Sequence, residues 1–173
     1  MAEPTESRDP NRTIHVTFVC TGNICRSPIA EKVFAARVDR AGLADRVRVS
    51  SAGTGDWHVG DGADNRARAV LRAHGYPTDH VAAQVAPDHL GADLVVALDT
   101  GHERALGRLG VPRDRIRLLR SFDPDADSRD VADPYYGDNA EFEVVLSQVE
   151  AAVPELLAWV RDRLTATVEP CEG

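Results

Sequence analysis

The chain reads Val19-Cys20-Thr21-Gly22-Asn23-Ile24-Cys25-Arg26-Ser27-Pro28 where a short β-branched run gives way to a stretch with helical spacing. The run at residues 14–19 predicts a buried strand, and residues 28–41 carry apolar side chains three or four positions apart. Ser27 is the predicted N-cap of this helix, with Pro28 at its first position, where a missing N–H costs nothing. A strand that leads through a loop into a helix is typical of a parallel α/β sheet.

The same alternation continues along the chain. Further strands are predicted at 47–50, 94–97 and 116–119, and further helices at 65–74, 102–109 and 141–164. Continuous apolar strands fit a sheet that is covered on both faces. We therefore expect a three-layer α/β domain with a four-stranded parallel sheet over residues 13–164, and disordered tails at 1–12 and 165–173.

Composition excludes several classes of protein. The chain has 173 residues, 43% of them hydrophobic, and 20 basic residues against 28 acidic ones give a net charge of −8. Without a Lys/Arg-rich run, nucleic acid is not an expected partner. The absence of an apolar segment of roughly 20 residues and of a signal sequence predicts no membrane association and a cytoplasmic location. Three cysteines, an odd number, argue against a disulfide framework.

The loop at residues 20–27 has the chemistry of an anion site. It opens onto a helix N-terminus, whose free N–H groups and dipole attract a phosphate, and Gly22 and Asn23 tolerate the positive φ that turns loop amides inward. The same environment favours the thiolate of Cys20. The guanidinium of Arg26 matches two phosphate oxygens. A buried cysteine is more often a small hydrophobic residue, but the whole loop favours a nucleophile.

Other phosphate or metal chemistries do not fit this loop. No Gly-Lys-Ser/Thr follows it, which excludes a Walker-type site, and Cys20 and Cys25 lack a second pair of zinc ligands. No metal or other cofactor is expected. A general acid is sought in the long irregular stretch at 121–139, where Asp133 and Asp123 each precede a proline that favours an extended conformation.

Residues 20–28, with Ser-Ser-Ala-Gly-Thr at 50–54, His-Gly-Tyr at 74–76 and Asp-Pro-Tyr-Tyr-Gly at 133–137, resemble low-molecular-weight protein tyrosine phosphatases. The similarity is greatest to the secreted actinobacterial, mycobacterial-type members and covers residues 14–164. It implies the flavodoxin-like fold of that family. It also implies that Asp133 rather than Asp123 is the general acid.

The resemblance assigns roles to further residues. Trp57 with Tyr135 or Tyr136 would form the rim of a phosphotyrosine slot, and Ile24 would favour aryl phosphates, because related arginine phosphatases carry Thr there. Ser51 would hold Asn23, and His74 with Asp99 would form a supporting pair. Thr21, Gly22, Asn23, Cys25 and Ser27 complete the phosphate-binding loop, with Ser27 also able to donate a hydrogen bond to the Cys20 sulfur. Cys25 would form a reversible disulfide with Cys20. His58 has no assigned role.

The expected activity is hydrolysis of protein phosphotyrosine through a cysteinyl-phosphate intermediate. Cys20 would be the nucleophile, Arg26 would bind phosphate and Asp133 would act as acid and then as base. The expected partners are phosphotyrosine proteins and inorganic phosphate as product, with the enzyme a monomer. Two alternatives are a thioredoxin-coupled arsenate reductase, which needs additional cysteines, and a non-catalytic phosphotyrosine-binding module. Export without a signal peptide, known among the relatives, stays open.

Overall fold

The computed structural model describes residues 13–166. These residues form four strands and five α-helices, together with two short 3-10 helices. The strands are β1 (Ile14–Cys20), β2 (Val47–Gly53), β3 (Leu94–Ala97) and β4 (Ile116–Leu118). The helices are α1 (Arg26–Arg40), α2 (Asn65–Ala73), α3 (Pro87–Leu90), α4 (Thr100–Arg108) and α5 (Asn139–Ala166), and the 3-10 helices are Arg113–Arg115 and Leu119–Phe122.

All four strands are parallel and lie in the order β2-β1-β3-β4. The chain first moves outward from β1 to β2 and then crosses to the other side, so β1 and β3 lie where the connection changes direction. Ligands of open α/β sheets bind outside the carboxyl ends of strands at such a point. Cys20, the last residue of β1, stands there. The predicted three-layer, four-stranded parallel architecture is confirmed.

The sheet separates two apolar clusters. On one face, Ile14, Val16 and Phe18 of β1 pack with side chains of α1, α2 and α5, and the ring of Phe18 meets Phe34 of α1 edge to face. On the other face, Val19 packs with Leu106 of α4. Alternate residues of β1 thus point to opposite faces, and both faces are covered. This burial holds β1, and therefore Cys20, in a fixed position.

Several element boundaries differ from the prediction. Helix α1 begins at Arg26, two residues before Pro28, and its N-cap is Cys25, without a side-chain hydrogen bond. The prediction of Ser27 as the N-cap was therefore wrong, and Pro28 lies at the third helical position. Its missing N–H is still harmless in the first turn, where no intrahelical acceptor exists. Helix α3 and both 3-10 helices were not predicted.

The helix α5 continues through Pro154 to Ala166, two residues past the predicted domain end at Leu164. The predicted tail at 1–12 lies outside the described residues, as do residues 167–173 of the second tail. Among residues 13–166, no helix combines the length and the apolar character needed to cross a membrane.

Candidate active site

The loop that runs from Cys20, the last residue of β1, to Cys25, just before α1, is held by backbone hydrogen bonds from neighbouring segments. Thr54 and Gly55, just after β2, donate to the carbonyls of Cys20 and Thr21 at 2.9 and 3.0 Å. The amide of Asp64 donates to the carbonyl of Ile24 at 2.9 Å. The loop is thus tied to β2 and to the start of α2. Three carbonyls of the loop are therefore already engaged in hydrogen bonds.

Asn23 is the hub of the loop. Its φ of 60° is the positive angle predicted for it. Its side-chain amide donates to Ser27 Oγ at 2.8 Å and to Ser51 Oγ at 3.0 Å, and its Oδ1 accepts from the Ala83 amide at 2.9 Å. Ser51 lies where the resemblance implied, beside Asn23. A fully bonded, buried asparagine fixes an otherwise costly backbone conformation.

Gly22 is not among the residues with positive φ, so that part of the prediction was wrong. A Cβ atom added to Gly22 would lie 3.1 Å from Cδ2 of His58. A larger residue at this position would therefore have to displace the His58 ring, which lies against the loop.

The Ser27 hydroxyl lies 2.9 Å from the sulfur of Cys20. The Ser27 oxygen accepts a hydrogen bond from the Asn23 side-chain amide, and its own proton is free to point to the sulfur. Both side chains are buried. Ser27 is thus placed to donate a hydrogen bond to the Cys20 sulfur, the second of the two roles considered for it.

Arg26 is buried and held in one orientation. Its Nη1 donates to Asp99 Oδ2 at 2.9 Å and to the carbonyl of Val131 at 2.8 Å, which uses both Nη1 protons. Burial acts to raise the pKa of Asp99, but the hydrogen bonds from the His102 amide and from Arg26 outweigh it and lower the pKa. Asp99 therefore stays ionised opposite the guanidinium.

The histidine beside Asp99 is His102, not His74. His74 Nε2 lies 3.0 Å from Glu143 at the protein surface, so the expected pair of His74 with Asp99 was wrong. His102 instead lies with Nδ1 3.1 Å from Asp99 Oδ1, without hydrogen-bond alignment, and with Nε2 2.8 Å from Thr21 Oγ1. Burial lowers the pKa of His102 to about 4, against the opposing effect of Asp99. A neutral imidazole thus connects Thr21 to the carboxylate that holds Arg26.

Asp133 faces Arg26 across the cavity, with its Oδ2 3.7 Å from Arg26 Nη2. It belongs to residues 131–137, the acid loop, and its side chain is 55% exposed. Asp123, the other Asp-Pro aspartate, accepts a hydrogen bond from the amide of Asp125 and forms a local turn. Of the two candidates, only Asp133 contributes to the cavity around Cys20.

The cavity itself measures about 260 Å³. Its lining combines loop residues, the acid loop and aromatic side chains: Cys20, Thr21, Gly22, Ile24, Cys25, Arg26, Trp57, His58, Asp133, Tyr135 and Tyr136. Trp57 and Tyr136 are 71% and 94% exposed. Large apolar rings that stand in solvent around a polar floor suit a flat aromatic guest.

Cys25 lies in the cavity wall beside Cys20, and both thiols are buried and free. Burial, with the negative charges of Asp64 and Cys20, raises the pKa of the Cys25 thiol to about 12. A thiol of this kind stays protonated at neutral pH and does not compete as a nucleophile.

Sequence reasoning missed several supporting residues. His80 Nε2 lies 2.7 Å from the carbonyl of Asn23, and Glu31 Oε1 accepts a hydrogen bond from the Ser51 hydroxyl at 2.5 Å. His102 and His58 were also not assigned. These residues reach the loop from distant segments, and no local pattern reveals such contacts. The one available signal for His102 was its position three residues after Asp99, at the start of the helix predicted for residues 102–109.

Comparison with known proteins agrees with this geometry. The model of the low molecular weight phosphotyrosine protein phosphatase family matches residues 15–166. Low molecular weight protein-tyrosine phosphatase A of Mycobacterium tuberculosis is 62% identical over 153 residues, which cover 87% of this chain and 94% of that protein. The low molecular weight protein-tyrosine-phosphatase of Streptomyces coelicolor is 56% identical over 158 residues, covering 88% and 96%.

The fold agrees as well. The crystal structure of a protein tyrosine phosphatase from Entamoeba histolytica, with Hepes in the active site, aligns with a TM-score of 0.83 at 30% identity and covers 87% of this chain and 98% of that one. The family match spans well over half of the chain, and the resemblance inferred from residues 20–28 and 133–137 is confirmed. The chain belongs to the low molecular weight phosphotyrosine protein phosphatase family.

Proposed function

We propose that this protein hydrolyses phosphotyrosine in proteins, with Cys20 as nucleophile, Arg26 as phosphate ligand and Asp133 as general acid and base. The observation that carries the proposal is the convergence of these three side chains on one cavity with an aromatic rim. The names of the relatives support the same reaction class.

In the first step the phosphate enters the loop. Since Nη1 of Arg26 is occupied by Asp99 and Val131, Nη2 and Nε are left to bind two phosphate oxygens as a fork. The amides of the loop and the N-terminus of α1 bind the remaining oxygens. The Cys20 thiolate then attacks phosphorus in line, forming the S–P bond while the P–O bond to tyrosine breaks.

Asp133 donates a proton to the departing phenolic oxygen. The scheme requires no metal ion. A positioned acid contributes typically about 10²–10⁴-fold. Asp133 then removes a proton from a water molecule, the water attacks phosphorus, and the S–P bond breaks to release inorganic phosphate. The Ser27 hydroxyl stabilises Cys20 as it leaves as a thiolate.

The aromatic rim and Ile24 favour an aryl phosphate. Ile24 lies in the middle of the loop, is buried, and lines the cavity with Tyr135 and Trp57. The rings of Tyr135 and Trp57 and the side chain of Ile24 offer apolar contact to a phenyl ring, and Ile24, in the middle of the loop, offers no hydrogen-bond partner for a guanidinium. Phosphotyrosine is therefore preferred over phosphoarginine.

Arsenate reduction coupled to thioredoxin is the second candidate, and the cysteine positions argue against it. That chemistry passes the intermediate to further cysteines, and the sequence has none between Cys25 and Cys171. Cys171 lies outside the described residues. A non-catalytic phosphotyrosine-binding role is disfavoured because Cys20, Arg26 and Asp133 are all in place.

We further propose that the enzyme is a monomer that acts on phosphotyrosine proteins in the cytoplasm. Fractionation of cells and culture medium tests whether it is also exported. The acidic net charge of −8 supports protein rather than nucleic-acid partners.

The test compares peptides that carry phosphotyrosine, phosphoserine or phosphoarginine, in the presence of EDTA, with the wild type and the Cys20→Ser variant. We expect turnover of phosphotyrosine alone, none with Cys20→Ser, and unchanged binding of inorganic phosphate to that variant. Equal turnover of phosphoarginine would contradict the substrate class, and hydrolysis by Cys20→Ser would contradict the nucleophile.

A further inference from the structure

Arg66, in the first turn of α2, contacts both the segment that precedes α2 and the acid loop. We propose that Arg66 is a positioning residue: it ties the acid loop to the phosphate loop and thereby holds Asp133 at the leaving oxygen. The inference rests on the proposed function, since it concerns how the proposed acid is held. Arg66 is not among the residues given a role above.

On one side Arg66 is joined to the phosphate loop through Asp64. Its Nε and Nη2 donate to the two carboxylate oxygens of Asp64 at 3.0 and 2.9 Å, a bidentate pair. The side-chain hydrogen bond from Arg66 lowers the pKa of Asp64 despite burial. Asp64 in turn donates its amide to the carbonyl of Ile24 at 2.9 Å, so the pair is fastened to the middle of the phosphate loop.

On the other side Arg66 holds the end of the acid loop. The remaining nitrogen, Nη1, donates to the carbonyl of Gly137 at 2.8 Å. The guanidinium carbon lies 5.8 Å from the centroid of the Tyr135 ring and 4.7 Å from that of Phe142, within the range of cation–π attraction. Phe142 lies in the first turns of α5, so one guanidinium contacts α2, the acid loop and α5.

The other end of the acid loop is anchored independently. The amide of Val131 donates to the carbonyl of Leu98 at 2.9 Å, and the carbonyl of Val131 accepts from Arg26 at 2.8 Å. Between the two anchors, Asp133 is largely exposed, and its carboxylate accepts a local hydrogen bond from the amide of Tyr135 at 3.1 Å. The position of Asp133 therefore depends on the two ends of the loop, which Arg26 and Arg66 hold.

A purely structural role for Arg66 predicts a different result. If Arg66 served only to pack α2 against α5, its loss would lower stability and would affect all substrates alike. If it acts through Asp133, its loss matters most for substrates whose leaving oxygen needs a proton, and it matters little once Asp133 is gone.

The experiment measures kcat/KM for phenyl phosphate, a poor leaving group, and p-nitrophenyl phosphate, a good one, together with inhibition by inorganic phosphate. The proteins are the wild type, Arg66→Met, Arg66→Lys, Asp133→Ala and the double variant Arg66→Met/Asp133→Ala. Arg68→Met is the matched control, because Arg68 lies on the same helix and its side chain donates to Asn65, on α2 itself.

We expect Arg66→Met to lower kcat/KM for phenyl phosphate about 10-fold, a fraction of the full contribution of a general acid, and for p-nitrophenyl phosphate less than about 3-fold. Inhibition by phosphate should change less than about 2-fold, which also shows that the variant is folded. Arg66→Lys should lose nearly as much, because an ammonium cannot hold Asp64 and Gly137 at once. Arg68→Met should match the wild type.

In the Asp133→Ala background, Arg66→Met should cause no further loss with phenyl phosphate. An equal loss in both backgrounds, an equal loss with both substrates, or no loss at all would overturn the inference. Failure of the proposed function appears differently: the wild type would then be inactive, or Asp133→Ala would have no leaving-group dependence. If Arg66→Met also fails to bind phosphate, Arg66→Lys is decisive, and wild-type selectivity between the two substrates in that variant would overturn the inference.

Discussion

At the residue scale, the Ser27 hydroxyl lies where it can donate its proton to the sulfur of Cys20. Asn23 donates to this oxygen at 2.8 Å, and the sulfur of Cys20 lies at 2.9 Å. A hydrogen bond to a charged group contributes roughly 1.5–3 kcal/mol, and here it is strongest when Cys20 leaves as a thiolate. We expect Ser27→Ala to slow breakdown of the phosphoenzyme by about 10–100-fold, in line with that energy.

Pre-steady-state kinetics with p-nitrophenyl phosphate measure this effect as a burst followed by a slower steady rate. Ser50→Ala is the control, because Ser50 Oγ bonds Thr17 and His15 rather than the loop. A Ser27→Ala enzyme with the steady-state rate of the wild type would show that the hydroxyl does not assist the sulfur.

The residues of the proposed phosphate loop could be predicted from the sequence, whereas their supporting residues could not. Cys20, Asn23 and Arg26 lie within one segment, where spacing and residue type carry the chemistry. His102 and His80 reach the loop from 81 and 57 residues away in sequence. The pair of His74 with Asp99, which the resemblance implied, was wrong because His74, the C-cap of α2, faces Glu143 of α5.

At the scale of elements, the end of β2 shapes the phosphate loop. Gly53 pairs with Cys20 in the sheet, and a Cβ atom added to Gly53 would lie 2.6 Å from the carbonyl oxygen of Thr21 and 3.1 Å from the amide of Asn23. Both are backbone atoms of the loop, so the loop would have to move. We expect Gly53→Ala to destabilise the protein by about 1–3 kcal/mol and to weaken phosphate binding.

Chemical denaturation and phosphate inhibition measure both effects. Gly107→Ala is the control, because Gly107 lies in α4 and an added Cβ would meet nothing within 4 Å. That substitution should stabilise the protein by up to about 1 kcal/mol. Unchanged stability and phosphate affinity in Gly53→Ala would contradict the close contact.

The spacing of apolar residues predicted which segments form strands and which form helices, but it did not predict several of their ends. β2 was predicted to end at residue 50 and instead continues to Gly53, because Ser51, Ala52 and Gly53 pair with Phe18, Val19 and Cys20. Polar and small residues give no strand signal of their own, so the end of β2 is set by the pairing of these residues with β1. Helix α1 begins at Arg26 without a capping side chain, so the sequence carries no N-cap signal for this start.

At the scale of the whole molecule, buried histidines connect stability to pH. Burial lowers the pKa of His102 to about 4, and it also lowers the pKa values of His15, His80 and His89. Between pH 6.5 and 4 the unfolded chain binds a proton at His102 that the folded protein does not bind, so stability falls as pH falls, and the other three histidines act in the same direction. His102 alone should contribute a slope of about 1.4 kcal/mol per pH unit in this window.

Denaturation of the wild type and of His102→Gln at pH 7, 6, 5 and 4.5 measures this contribution. We expect the variant to be less stable at pH 7, because it loses the neutral imidazole, and the difference to shrink as pH falls. His74→Gln, at the surface and outside the site, is the control substitution. A constant difference at all four pH values would contradict the burial of a neutral His102.

The central claim is that the sulfur of Cys20 carries the phosphoryl group during turnover. The direct measurement is rapid quenching in acid during hydrolysis of p-nitrophenyl phosphate, followed by mass spectrometry of the digested protein under acidic conditions. The account predicts one phosphoryl group on the peptide that contains Cys20, and in larger yield in Ser27→Ala, where breakdown is slower. Turnover with no phosphorylated peptide, or with the phosphoryl group on another residue, would contradict it.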